Sequence, residues 1–216
     1  APAPVVLGLL SRFRVLCAHR RGQLGVRGMN QAIERWLLAG GWIPRPLPGE
    51  GDERWYPGRP LLVTRNDYQL ELFNGDVGYI AQGATADRAM AIFPDASDTG
   101  YRSIRASRLP PHETVFAMTV HKSQGAQLEH AMVVLPAAPS PIVTRELLYT
   151  GITRARQRVT VVGREPVLRH GVAERVERAS GLRERLWGPA DLPTQTPTQG
   201  PAQPGDGSVE CAWTKC

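Results

Sequence analysis

Two stretches of this chain hold side chains whose types and spacing suit phosphate chemistry. The first, Thr119-Val-His-Lys-Ser-Gln-Gly125, gathers hydroxyl, imidazole, ammonium and amide groups into one short run. The second, Leu147-Leu-Tyr-Thr-Gly-Ile-Thr-Arg-Ala-Arg156, is an apolar-faced run that ends in arginines. A strand over 115–120 followed by a helix opening at His121 and running to about Gln127 would present the first set at the carboxyl end of a strand, where open α/β sheets bind ligands. The free N–H groups and positive dipole end of that helix would add to the attraction for a phosphate. The plainer reading is an ordinary helix cap, with Ser123 and Gln124 satisfying local amides. Arg154 likewise has two readings. It is a solvated charge at a helix C-terminus, where cations suit the dipole, or an arginine finger that reaches across a cleft to a transferring phosphoryl group.

Both stretches need a scaffold. Residues 12–18 alternate and then turn apolar, as a partly buried strand does. A basic, glycine-punctuated loop follows over 19–25. A helix is predicted over 30–39, with Ile33, Trp36 and Leu37 on its stripe and Gly40-Gly41 at its end. Strand, loop and helix make one α/β unit. Residues 44–58, rich in Pro and Gly, read as a loop. Short strands are predicted over 59–65, 77–81, 89–93 and 101–106. Asn66-Asp67 marks a turn, and Phe73-Asn-Gly-Asp76 predicts a type I′ hairpin because Asn-Gly accepts positive φ. Short strands with no helix between them predict a small β-barrel inserted into an α/β domain. The α/β pattern then returns, with strands over 131–135 and 158–162 and helices over 144–154 and 172–186. The last helix is amphipathic, with Val172, Val176, Ala179, Leu182 and Leu186 on one side. From Pro189 onward the Pro-Thr-Gln-rich composition predicts disorder.

The bulk numbers exclude several classes. The 216 residues suffice for one core and a small appendage, and 42% hydrophobic with 21% charged residues reads as soluble and globular. No apolar run reaches the roughly 18 residues of a membrane-spanning helix. The opening Ala1-Pro-Ala-Pro4 lacks the pattern of a secretory signal, and the absence of an initial Met leads us to expect a fragment or a processed chain. A net charge of +6 favours a polyanionic partner, although arginine richness also follows from a GC-rich genome. Lysine occurs at Lys122 and Lys215 alone. Cys17, Cys211 and Cys216 are odd in number and widely spaced, so neither a disulfide framework nor a zinc site is expected. Cys17 reads as an inert core residue, and a cytoplasmic location fits.

Met118-Thr-Val-His-Lys-Ser-Gln-Gly125 resembles motif V of superfamily 1 helicases, and the run from Leu147 to Arg156 resembles motif VI. The run Val15-Leu-Cys-Ala-His-Arg-Arg-Gly22, continuing to Gly28-Met-Asn30, is similar to the RecD branch, the exodeoxyribonuclease V alpha-subunit type. So is the run from Gly58 through Arg65-Asn-Asp67 to Leu72-Phe-Asn-Gly-Asp-Val-Gly78. The resemblance covers about residues 10–187. It implies an α/β fold, the second RecA-like motor domain of P-loop-NTPase type. The first part of that domain would span 10–58, an inserted SH3-like barrel 59–112, the remainder 113–187 and a disordered tail 188–216. It implies a 5′-to-3′ ATP-dependent DNA helicase acting in double-strand break repair and recombination, with ATP and Mg²⁺ as cofactors. The implied partners are single- or double-stranded DNA, an N-terminal RecA-like domain and RecB- and RecC-type subunits. Thr119, His121, Lys122, Ser123 and Gln124 would lie along the DNA strand, joined by Asn74 from the insert. Gln127, Gly151 and Arg154 would face the nucleotide, with Arg154 as the finger for ATP bound on the other motor domain. The family usually carries Ser-Glu-Phe or similar after Lys-Ser-Gln-Gly, the glutamate lying near the nucleotide ribose. Here Gln127 can hydrogen-bond a hydroxyl but has no charge.

No Gly-x-x-x-x-Gly-Lys-Ser/Thr occurs in the 216 residues. His112-Glu113 does not fit a metal role. The chain is therefore expected to hydrolyse no ATP alone, the Walker A and B elements lying outside it. The competing reading is a non-catalytic DNA- or subunit-binding module derived from a helicase. A nuclease lacks support, because no Asp, Glu and Lys cluster has metal-site spacing.

Overall fold

Helices and parallel strands occupy the two flanks of the described chain, and antiparallel strands occupy its middle. The computed structural model describes residues 2–44, 55–82 and 88–176. It begins with helix α1 (Ala3–Leu10), strand β1 (Phe13–Cys17) and helix α2 (Val26–Ala39). Strands β2 (Pro60–Val63), β3 (Val77–Gln82), β4 (Met90–Pro94), β5 (Tyr101–Arg105) and β6 (His112–Thr114) follow. Strands β7 (Ala117–Thr119) and β8 (Leu128–Val134), helix α3 (Arg145–Ile152), strand β9 (Ala155–Val162) and helix α4 (Glu165–Ala173) complete it.

The strands β7-β1-β8-β9 form an all-parallel sheet. Its inner strand β1 is buried from Arg14 to Cys17, as a strand paired on both edges must be when helices cover both faces. One face carries Leu16, Ala131 and Val133, clustered with Leu147 and Leu148 of α3 and Val167 of α4. The other carries Val15, Cys17 and Val134 against Val26, Met29 and Ile33 of α2. The second sheet is antiparallel, in the order β5-β4-β3-β2-β6, around Leu61, Val63, Ile80, Phe93 and Ile104. Because side chains alternate along a strand, Leu62 leaves that core and joins the core of the parallel sheet. The barrel expected over 59–112 is thus observed as a five-stranded ladder, open at β5 and β6 among the described residues, and β6 carries it on to Thr114.

Several expectations are corrected. Helix α2 starts at Val26 rather than at residue 30. The basic loop folds back on the first turn, with Val26 N–H donating to His19 O at 2.9 Å. Only a glycine fits at 28, since a Cβ there would lie 2.4 Å from the Gln23 carbonyl oxygen. Trp36 lies off the buried stripe, 68% exposed. The turn at Phe73–Asp76 closes with Asp76 N–H to Phe73 O at 3.0 Å, but Gly75 takes positive φ (+107°) and Asn74 does not, so it is not type I′. It caps the end of a 64–76 excursion between β2 and β3 instead of joining them directly. Strands β8 and β9 each begin three residues earlier than predicted, at Leu128 and Ala155. Helix α4, not predicted, ends at Ala173, and residues 174–176 of the amphipathic helix expected over 172–186 are not helical; Arg145 draws the Val172 carbonyl (2.9 Å) and the Glu174 carbonyl (3.0 Å) to α3. The remainder of that predicted helix, the tail and the two distal cysteines lie outside the described residues. Helix α1 has no counterpart among the predicted elements, because its apolar residues show no helical period.

Candidate nucleic-acid and nucleotide site

The first phosphate-suited stretch leaves the edge strand β7. A strand edge exposes unpaired backbone groups, and here a side chain covers them. Asn30, 8% exposed, donates Nδ2–H to Ala117 O at 3.0 Å and accepts from Ala117 N–H at 2.8 Å. Beyond Thr119 the chain makes a single 3₁₀ turn, His121–Ser123, and no α-helix runs to Gln127. The predicted helix N-terminus and its dipole are therefore absent. The reason is local: Ser123 donates its hydroxyl to Val120 O at 2.6 Å, Thr119 Oγ1 accepts from Lys122 N–H at 3.2 Å, and Gly125 at φ +85° swings the chain toward β8. Ser123 is fully buried, and its hydroxyl is engaged inside the turn. His121 and Gln124 are exposed. Lys122 is half-buried, with Nζ 2.7 Å from Glu113 Oε1 on β6.

The second stretch is built on α3. Thr144 caps it, its Oγ1 accepting from Leu147 N–H at 3.3 Å. Gly151 is buried, and a Cβ there would lie 3.1 Å from Val133 Cγ2, so this position sets how closely the helix sits on the sheet. Arg154 stands at the corner between α3 and β9. Its guanidinium donates to Thr150 O (3.1 Å), Ala126 O (3.4 Å) and Thr153 Oγ1 (3.2 Å). Arg156 holds Gln127 through its Oε1, with Nε at 2.6 Å and Nη2 also in contact. Leu128 N–H donates to Arg154 O at 2.8 Å. Arg154 and Gln127 are therefore brought together, whereas Gly151 packs inside.

Asn74 is exposed, its N–H held by Asn66 Oδ1 at 2.8 Å. The neighbouring Gly75 and Asp76 border the same cleft of ≈ 370 Å³ as Ser123 and Gln127. Arg14 lines this cleft too and was not legible as a site residue in the sequence. It is 5% exposed, donates Nη2–H to Leu10 O at 2.9 Å and Nη1–H to Val115 O, and burial pushes its pKa down to about 10, so it stays charged at neutral pH. Cys17 is fully buried, which pushes its thiol up to about 12 and keeps it protonated. Among the described residues no group of three or more His, Cys, Asp or Glu side chains could hold a metal ion.

The UvrD-like helicase C-terminal domain matches residues 114–162, which take in both stretches. A RecBCD enzyme subunit RecD from Mycobacterium tuberculosis is 44% identical over 182 residues, covering 84% of this chain and 30% of the relative. The chain belongs to the RecD-type superfamily 1 helicases, matching their C-terminal part. The ATP-dependent RecD2 DNA helicase of Deinococcus radiodurans is 30% identical over 181 residues, covering 83% of this chain and 24% of the relative. The chain thus spans about a third or less of the length of these RecD-type relatives. A solved Pif1 helicase from Bacteroides, in complex with ADP-AlF3 and ssDNA, matches 76% of this chain and 43% of its own at TM-score 0.45 and 14% identity.

Proposed function

We propose that this chain is the DNA-gripping, arginine-finger half of an ATP-dependent 5′-to-3′ DNA helicase of the RecD type, acting in double-strand break repair and recombination in the cytoplasm. Residues 10–58 and 113–187 make its second RecA-like motor domain, and 59–112 an SH3-like insert. The observation that carries the reading is Arg154. Its hydrogen bonds go to carbonyl and hydroxyl oxygens, so among the described residues no carboxylate neutralises its charge. Carbonyl contacts are readily exchanged for a phosphoryl oxygen, the stronger acceptor for a guanidinium. Gln127 beside it serves the nucleotide sugar. His121, Lys122 and Gln124, with Thr119 and Asn74, serve the single strand.

The β- and γ-phosphates of ATP, with Mg²⁺, require a P-loop, which this sequence lacks. That cradle belongs to an N-terminal RecA-like domain in the rest of a longer polypeptide, which works with RecB- and RecC-type subunits. When bound there, ATP supplies the phosphoanhydride whose cleavage drives movement, and Arg154 supplies charge to the transferring group. ATP turnover with single-stranded DNA, measured for this chain alone and with the N-terminal domain, tests the reading. Turnover only with both is expected. Robust turnover by this chain alone overturns it. The missing P-loop also favours a second reading, a DNA- or subunit-binding module without catalysis. DNA binding with no turnover in either mixture would favour that one.

A further inference from the structure

Glu113 belongs to no motif, yet its carboxylate lies between two cations. Its Oε1 lies 2.7 Å from Lys122 Nζ, and its Oε2 lies 3.9 Å from Arg20 Nη2. One carboxylate thus joins the ammonium of the turn after β7 to a guanidinium of the basic loop after β1. Those cations come from segments just over a hundred residues apart in sequence, and a phosphodiester with its two free oxygens could engage the same pair. The carboxylate borders a cleft of ≈ 470 Å³ whose rim carries Arg20, Arg21 and Arg27. The second acid of that cleft, Glu34, is held by the Tyr56 hydroxyl at 2.7 Å, which leaves Glu113 to face the cations.

We propose that Glu113 is an intramolecular phosphate mimic: it occupies Lys122 and Arg20 in the free protein and is displaced when the backbone of single-stranded DNA enters the cleft. The inference rests on the DNA-binding part of the proposed function. Its physical basis is that a pair of half-exposed ions exchanges partners at small cost. A carboxylate left beside an arriving phosphate repels it, so removing the carboxylate strengthens DNA binding. It also adds a cation to the set that sheds counterions, which steepens the salt dependence.

The test is ssDNA binding by the intact protein across a salt series, for wild type, Glu113→Gln, Lys122→Gln and the double variant, with thermal melting as the folding control. Glu113→Gln should tighten binding about two- to fivefold at low salt. It should steepen the slope of log K against log salt by about 0.7. Lys122→Gln should do the reverse, and in its background the Glu113 substitution should gain less. Unchanged or weaker binding by Glu113→Gln, with wild type binding normally, overturns the mimic and makes Glu113 a support for Lys122. Absence of DNA binding by wild type overturns the underlying reading, and the mimic with it. If Glu113→Gln does not fold, Lys122→Gln decides alone: an unchanged slope removes Lys122 from the phosphate contacts and overturns the mimic.

Discussion

The turn at 119–125 leaves the carboxyl end of β7 and the corner at 151–156 leads into the amino end of β9; each carries a cation, but they hold it differently. In the turn, the Lys122 ammonium is paired with Glu113, a carboxylate delivered by the neighbouring antiparallel sheet. In the corner, the Arg154 guanidinium rests on backbone carbonyls and a hydroxyl. A carboxylate cancels charge and must be displaced before a phosphate can bind. A carbonyl orients a guanidinium and leaves its charge in place. The same residue class is therefore held in reserve at one site and poised at the other.

The largest expected effect tests the poised side. In the longer ATP-dependent enzyme proposed above, Arg154→Ala should lower ATP turnover about 10³-fold or more while leaving DNA binding in place. Wild-type turnover would remove the contrast between the two segments. The next tests what holds the turn. Asn30→Ala strips partners from both backbone groups of Ala117 and should destabilise the fold by about 3 kcal/mol in a denaturant melt. A loss well under about 1 kcal/mol would mean that β7 is secured by other contacts. Ser123→Ala should cost about 1 kcal/mol of stability and leave ssDNA affinity unchanged, since its hydroxyl is spent on Val120 O. Weakened DNA binding at unchanged stability would return Ser123 to the DNA-contacting set.

The smallest effect concerns the foot of the corner helix. Hydrogen bonding to its own amide, and then to that of Val176, holds the Glu146 carboxyl below the usual carboxylate range. Its folded pKa is depressed, so its contribution is full above the unfolded pKa and is lost as pH falls through the lower folded value. The Val176 amide resonance should shift over that acid window and stay flat in Glu146→Gln. A titration unaltered by the substitution would assign the change to another group.

Much of the scaffold was legible because local pattern matched tertiary need. The apolar run at 131–135 was expected as a buried strand, with the Leu147, Leu148, Gly151, Ile152 and Ala155 face packed against it; all but Ile152, which is 42% exposed, do so. The helix expected after His121 is absent because hydroxyls and a glycine at a helix start look like those of a tight 3₁₀ turn, and the residues beyond Gly125 decide between them. Strand β8 must begin at Leu128 to pair with β1 and β9, which leaves no room for a helix. Arg154 and Gln127 could be named from motif spacing, but that they meet across the 126–128 backbone could not.

By itself, the sequence determined strand β1 and helices α2 and α3, the place of the antiparallel insert, the family and the absence of a P-loop. These follow from periodicity, turn chemistry and contiguous motifs, which are properties of neighbours along the chain. Tertiary structure alone decided that Asn30 would close the edge of β7, that Arg14 would be buried and that Glu113 would hold Lys122. Each depends on groups brought together by sheet register and by the passage of the chain between two sheets. No local window of sequence encodes those distances.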